Sequence, residues 1–167
     1  MKIELKNVKF SESLSEETNA FTADIFVDGK KCGFAKNDGQ GGCTDIRQIG
    51  GTNSKLFVEC VNWLKTQPDI NIGSETEPYM INCHIESMVD HLFDQWLKDK
   101  EVKKMEKKML THVMWGVPNS LSYRVVKFNK PLNTIDHNVL QKYLDTWKAT
   151  FIRGEQFLNT NLEGFNL

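Results

Sequence analysis

The sequence predicts an α+β fold: a mainly antiparallel sheet with three helices packed on it. Three observations lead there. Segments with two-residue apolar alternation cluster at the start of the chain and return late, instead of alternating one for one with helices. Asp28-Gly29, between two such segments, is a hairpin signal, because both central residues of a type I′ turn need positive φ. Three further segments carry apolar residues at helical spacing. The expected order is β-β-β-α-α-β-β-α in a single domain covering residues 1–167, a length that can bury a sizeable core.

The elements follow in order. "KIELKNVKF" is a strand with Ile3, Leu5, Val8 and Phe10 as its apolar members and a slip in the alternation near Asn7. "SESLSEETN" is a polar, acidic loop. "AFTADIFV" puts Phe21, Ala23, Ile25 and Val27 on one face, and "KKCGFAKN" returns beside it after the turn. "DGQGGCTDIRQIGGTNS" has no period and reads as an irregular surface loop. A helix starts at Asn53 or Ser54, either of which can cap it, and continues through Phe57, Cys60, Val61 and Leu64 until Pro68 closes the segment.

"DINIGSETEPYMIN" is a connector. The central helix carries Ile85, Met88, Val89, Leu92, Phe93 and Trp96 as one stripe, then passes into the charged run "KDKEVKKMEKK". "THVMWGV" and "SYRVVKF" are strands joined by the turn "PNSL". Asp136 caps a third helix in which Val139, Leu140, Tyr143, Leu144, Trp147 and Phe151 are expected to face the core, with Gly154 suited to its C-terminal stop. "EQFLNTNL" offers a final short strand.

Composition narrows the function classes. Apolar residues make up 40% of the chain and the net charge is −1, which argues against disorder and against a global field steering the chain to nucleic acid or acidic lipid. The N-terminus lacks a signal-peptide core and no apolar run reaches membrane-span length, so a host cytoplasm and no membrane partner are expected. Cys32, Cys43, Cys60 and Cys83 form no CxxC pair and read as free thiols, mostly buried.

Seven of the eleven glycines lie between Gly29 and Gly51, which raises the question of a phosphate cradle. A P-loop needs a lysine before its Ser or Thr, and Thr44 follows Cys43 instead. A dinucleotide fingerprint opens at Gly39-Gln40-Gly41, but Thr44 stands where its third glycine belongs, and the helix begins too late to face a pyrophosphate. The glycines then shape a loop on a rigid hairpin, a suitable recognition surface. His84 and His91 lack the companions of a zinc site, and no nucleophile has a recognisable base beside it. No catalytic residue, cofactor or metal is expected.

The lysine run is the main electrostatic feature. Lys103 and Lys107 lie one helical turn apart, as do Lys104 and Lys108, giving a two-row cationic face. Such a face either contacts phosphates or is simply solvated; the run carries none of the interleaved aromatics that single-strand binding uses.

The stretch "FTADIFVDGKKCGFAKNDGQGGCTDI" resembles small accessory proteins of bacteriophages and mobile elements that share V-D-G-K-K, a strand, and N-D-G-x-G-G. Asp28, Gly29, Lys30, Lys31, Asn37, Asp38, Gly39, Gly41 and Gly42 carry the match, and "FLNTNL" resembles that group's ending. The resemblance implies phage origin, not a reaction. It makes a non-enzymatic interaction protein the first expectation, an inhibitor bound to a host protein or ribonucleoprotein effector such as a CRISPR nuclease. The expected contact surface is Asn37, Asp38, Gly39, Gln40, Gly41, Gly42 and Thr44, together with Lys103, Lys104, Lys107 and Lys108. Two alternatives stand beside it: a nucleic-acid-binding protein using the same lysines, and a small nucleotide-binding enzyme using the glycine loop.

Overall fold

A computed structural model describes residues 1–74, 76–118, 120 and 122–167. The class is α+β, with three α-helices and antiparallel sheets among the described residues. The chain gathers into two compact units, Met1–Leu97 and Lys98–Leu167.

In the first unit, β1 (Ile3–Ser11), β2 (Ala20–Val27), β3 (Lys30–Asn37) and β4 (Asp45–Gln48) form one antiparallel sheet in that order. Asp28 and Gly29 turn between β2 and β3 with φ of 46° and 79°, the positive pair that the sequence predicts. The slip near Asn7 is a β-bulge: Asn7 has φ 52°, and the register with β2 shifts between Lys6 and Lys9. β4 is the departure from expectation, since the segment after Asp38 reads as irregular throughout. Only Ile46 in β4 is apolar, so the strand has no period to read; it exists because Asp45–Gln48 pair with Gly33–Lys36.

Helix α1 (Ser54–Leu64) buries Phe57, Cys60 and Leu64, as its spacing predicts. Asn53 stands at its N-cap position, but its amide donates to the Lys31 carbonyl (3.0 Å) and makes no cap. The expected connector contains a small hairpin, β5 (Ile70–Asn71) with β6 (Met80–Ile81), two residues a side and too short for any pattern.

Helix α2 (Ile85–Met109) begins in the first unit and ends in the second. His84 and Ser87 cap its start reciprocally: the Ser87 N–H donates to His84 Nδ1 (3.2 Å) and the His84 N–H to Ser87 Oγ (2.9 Å). Its Ile85, Val89 and Phe93 meet Phe21, Ile25 and Val27 of the sheet in the first core. Phe93 stacks on Phe21 at 4.0 Å between centroids. Burial of side chains of this size stabilises the fold by about 1.5–3 kcal/mol each.

The second unit holds β7 (His112–Gly116) between β8 (Arg124–Lys127) and β9 (Gln156–Phe157), all antiparallel. Within the expected turn Pro118–Leu121, Asn119 and Leu121 lie outside the described residues. Helix α3 (His137–Lys148) is capped by Asp136, whose carboxylate accepts from the Val139 N–H at 3.1 Å. Leu140 and Leu144 are fully buried, with Trp147 and Phe151 packed beside them. Val139 and Tyr143 are exposed, contrary to expectation: each precedes one of the buried leucines, and one step along a helix rotates a side chain by about 100°. Gly154 does not end α3, which stops at Lys148; its φ of 87° serves a later turn, where the Glu155 N–H donates to the Ile152 carbonyl.

Among the described residues, no helix is long and apolar enough to cross a membrane.

Candidate functional site

The glycine loop leaves β3 at Asn37, and that side chain organises it. Asn37 Oδ1 accepts from the Gly39 N–H (2.9 Å) and from Thr18 Oγ1 (2.8 Å). Its amide donates to Thr44 Oγ1 (3.3 Å) and to the Gly42 carbonyl (3.4 Å). Thr44, itself buried, passes the chain of bonds on by donating to the Asp90 carboxylate of α2. The Gly41 N–H donates to Thr18 Oγ1 at 3.3 Å.

Gly39 is the anchor of the opposite side. Its carbonyl accepts from three successive N–H groups, those of Glu16, Glu17 and Thr18, at 2.9, 3.0 and 3.3 Å. Successive N–H groups of this kind form an anion-binding nest in other settings. Here the nest belongs to the 16–18 segment, and the glycine loop supplies the oxygen that fills it. Gly39 has φ 86°, and a Cβ built on it would lie 2.1 Å from the Leu14 carbonyl oxygen, so no other residue fits.

The glycines therefore shape the loop. The N–H groups of Gly39 and Gly41, which a phosphate cradle would present outward, donate to side chains of the same chain. An acidic neighbourhood adds to this. Beside the loop lies a cleft of about 220 Å³ lined by Thr18, Asn19, Asn37, Gly42, Asp90 and Asp94 over the Phe21–Phe93 stack. Burial pushes the Asp90 carboxyl above the usual carboxylate range; Asp94 and Glu86 push the same way, while the Thr44 hydroxyl and His84 oppose them. A phosphate entering here would meet two carboxyl groups.

Of the loop residues expected at a contact surface, Gly39 and Thr44 are buried and hold the loop in shape, and Asn37 is half-buried at its base. Asp38, Gln40, Gly41 and Gly42 form an exposed crown, and Cys43 extends it. Asp38 pairs with Lys36 at 2.7 Å. Cys43 is a free, exposed thiol, while Cys32, Cys60 and Cys83 are free and buried. Burial pushes the Cys60 thiol up to about 11, and it stays protonated at neutral pH.

The four lysines belong to the second unit. Lys103, Lys104 and Lys107 are exposed. Lys108 is half-buried: its ammonium donates to the Tyr123 hydroxyl (3.0 Å) and lies 5.0 Å from that ring's centroid. Among the described residues, no group of three or more His, Cys, Asp or Glu side chains is arranged to hold a metal ion.

Sequence reasoning missed Asp90 and Asp94. The signal was the row Glu86, Asp90, Asp94, three like charges at successive i,i+4 positions of α2. Such pairs oppose a helix. Compared with known proteins, the chain has no significant match to a family model, to a curated protein or to a solved structure.

Proposed function

We propose that this protein acts by binding a macromolecular partner, not by catalysis, and that the exposed crown of Asp38, Gln40, Gly41, Gly42 and Cys43 is its principal contact. One observation carries the reading: the crown stands on a base tied down by Asn37, Thr44 and the Gly39 carbonyl. A loop ordered before it binds loses little conformational entropy on binding, so its contacts are retained as affinity. The exposed Lys103, Lys104 and Lys107 add a cationic surface that suits an acidic partner. The phage resemblance directs the proposal to a host effector of defence, a CRISPR nuclease being one concrete target, with the protein as its inhibitor.

The test is capture from nuclease-treated bacterial lysate by three proteins: wild type, Gln40→Arg with Cys43→Arg, and Lys103→Glu with Lys107→Glu. The expected result is one protein captured by wild type and at least about tenfold weaker capture by the loop variant, with melting curves unchanged; the lysine variant weakens capture mainly at low salt. Equal capture by wild type and loop variant would remove the loop from the proposal, and capture only in the absence of nuclease would replace the protein partner with a nucleic acid.

A further inference from the structure

We infer that the first unit's sheet binds single-stranded nucleic acid on the face turned away from its core. This is independent of the loop reading and uses other residues. Alternation along the strands puts the core side chains on one face and a different set on the other. On that second face lie Phe26 of β2 and Phe34 of β3, both half-buried. Neither belongs to the core cluster, and among the described residues neither stacks on another aromatic ring.

The cross-strand register surrounds these rings with cations. One row runs Lys6, Asp24, Phe34, Arg47 across the four strands. The next, on the Phe26 side, runs Glu4, Phe26, Lys31, and Lys6 already places its ammonium 4.5 Å from the Phe26 centroid. On the Phe34 side the row is Lys9, Thr22, Lys36, Asp45. These three rows hold five cations and three carboxylates in a chain whose net charge is −1, and Asp38, paired with Lys36 at 2.7 Å, lies at their edge. The exposed pair Arg47–Asp45 (2.7 Å) is weak enough for a phosphate to compete for its cation, whereas Lys31 is held at 2.8 Å by the nearly buried Asp24.

Geometry selects the single strand. The rows that carry Phe34 and Phe26 are two residues apart along β2, about 6.6 Å. That is about twice the 3.4 Å rise per base of a duplex strand, so bases reach both rings only when splayed apart. Beyond Thr22 the same face opens into a recess of about 210 Å³ between Lys9 and Lys36, walled by Leu14 and Ala20, where a further base or sugar fits.

The experiment is fluorescence anisotropy of the full chain with labelled twelve-nucleotide oligo-dT and oligo-rU and a duplex of equal length, across a salt series. The single strands should bind and the duplex bind at least tenfold more weakly. Phe34→Leu, which keeps the apolar bulk and removes the π-face, should weaken binding roughly five- to a hundredfold, and Phe34→Trp should restore it. Lys36→Glu with Arg47→Glu should flatten the slope of log affinity against log salt by about 1.4. Absence of oligonucleotide binding at low salt would overturn the inference, as would binding indifferent to Phe34→Leu or binding lost only in Lys103→Glu with Lys107→Glu. A dimer that Phe34→Leu dissociates, with no oligonucleotide bound, would instead make this face a self-interface.

Discussion

Asp90 shows how one side chain links a helix to a loop and sets a pH dependence. It sits between Glu86 and Asp94 on α2, and burial raises its carboxyl above the ordinary 3.8. In the fold it therefore holds a proton at pH values where the unfolded chain has released it. The stability this contributes is fully present below the unfolded value and is lost as pH rises through the raised one. Asp90→Asn keeps an oxygen for the Thr44 hydroxyl and cannot ionise. Its melting temperature should match wild type below about pH 3.8 and exceed it at neutral pH. A variant less stable than wild type at neutral pH would mean that the ionised carboxylate is favoured in place. None of this was legible from the residue alone, because the hydroxyl that Asp90 meets belongs to Thr44, 46 positions earlier in the chain. Gly39 is similar: its glycine run was visible, but the need for glycine comes from the Leu14 carbonyl pressed against it.

At the scale of elements, the long periodic segments were legible and the short ones were not. α1, α2 and β2 declare themselves because each repeats its apolar residues over several turns or pleats. β4, β5 and β6 run two to four residues and depend on a partner strand. The last segment is an instructive case between these limits. β9 pairs with Trp115 and Gly116 for two residues only; the Leu158 N–H then donates to the Met114 carbonyl (2.8 Å). After that a side chain replaces the strand. Asn159 Oδ1 accepts from the Met114 N–H (2.7 Å) and its amide donates to the His112 carbonyl (2.8 Å), while Asn161 donates to the Met109 carbonyl at the end of α2 (2.9 Å). Asn159→Ala should strip partners from two main-chain groups of β7 and cost about 2–3 kcal/mol, read as a fall in melting temperature of roughly 4–12 °C. Asn159→Asp keeps the acceptor and should fall less at neutral pH; equal losses would assign the effect to packing.

For the whole molecule, the class followed from strands clustering early and returning late, and the structure has that order. The division between its units also left a mark in the sequence. It falls after Leu97, where the apolar stripe of α2 gives way to "KDKEVKKMEKK". The helix itself is unbroken there, so periodicity alone does not register the change. The cationic sheet face was hidden for another reason. Its lysines and phenylalanines are dispersed along three strands, and only the register assembles them.

The kink at Asn7 has a consequence for the protein in crowded solution. β1 is an edge strand nine residues long, and a straight edge of that length is a template on which further chains can add as in a fibril. Asn7 and Val8 together face Ala23 alone, which interrupts the ladder halfway along. Deleting Asn7 would leave Val8 opposite Ala23 and the register on both sides intact. The deleted protein should keep its far-ultraviolet circular dichroism yet scatter light and bind thioflavin T sooner than wild type on prolonged incubation, and unchanged aggregation kinetics would show that the kink protects nothing.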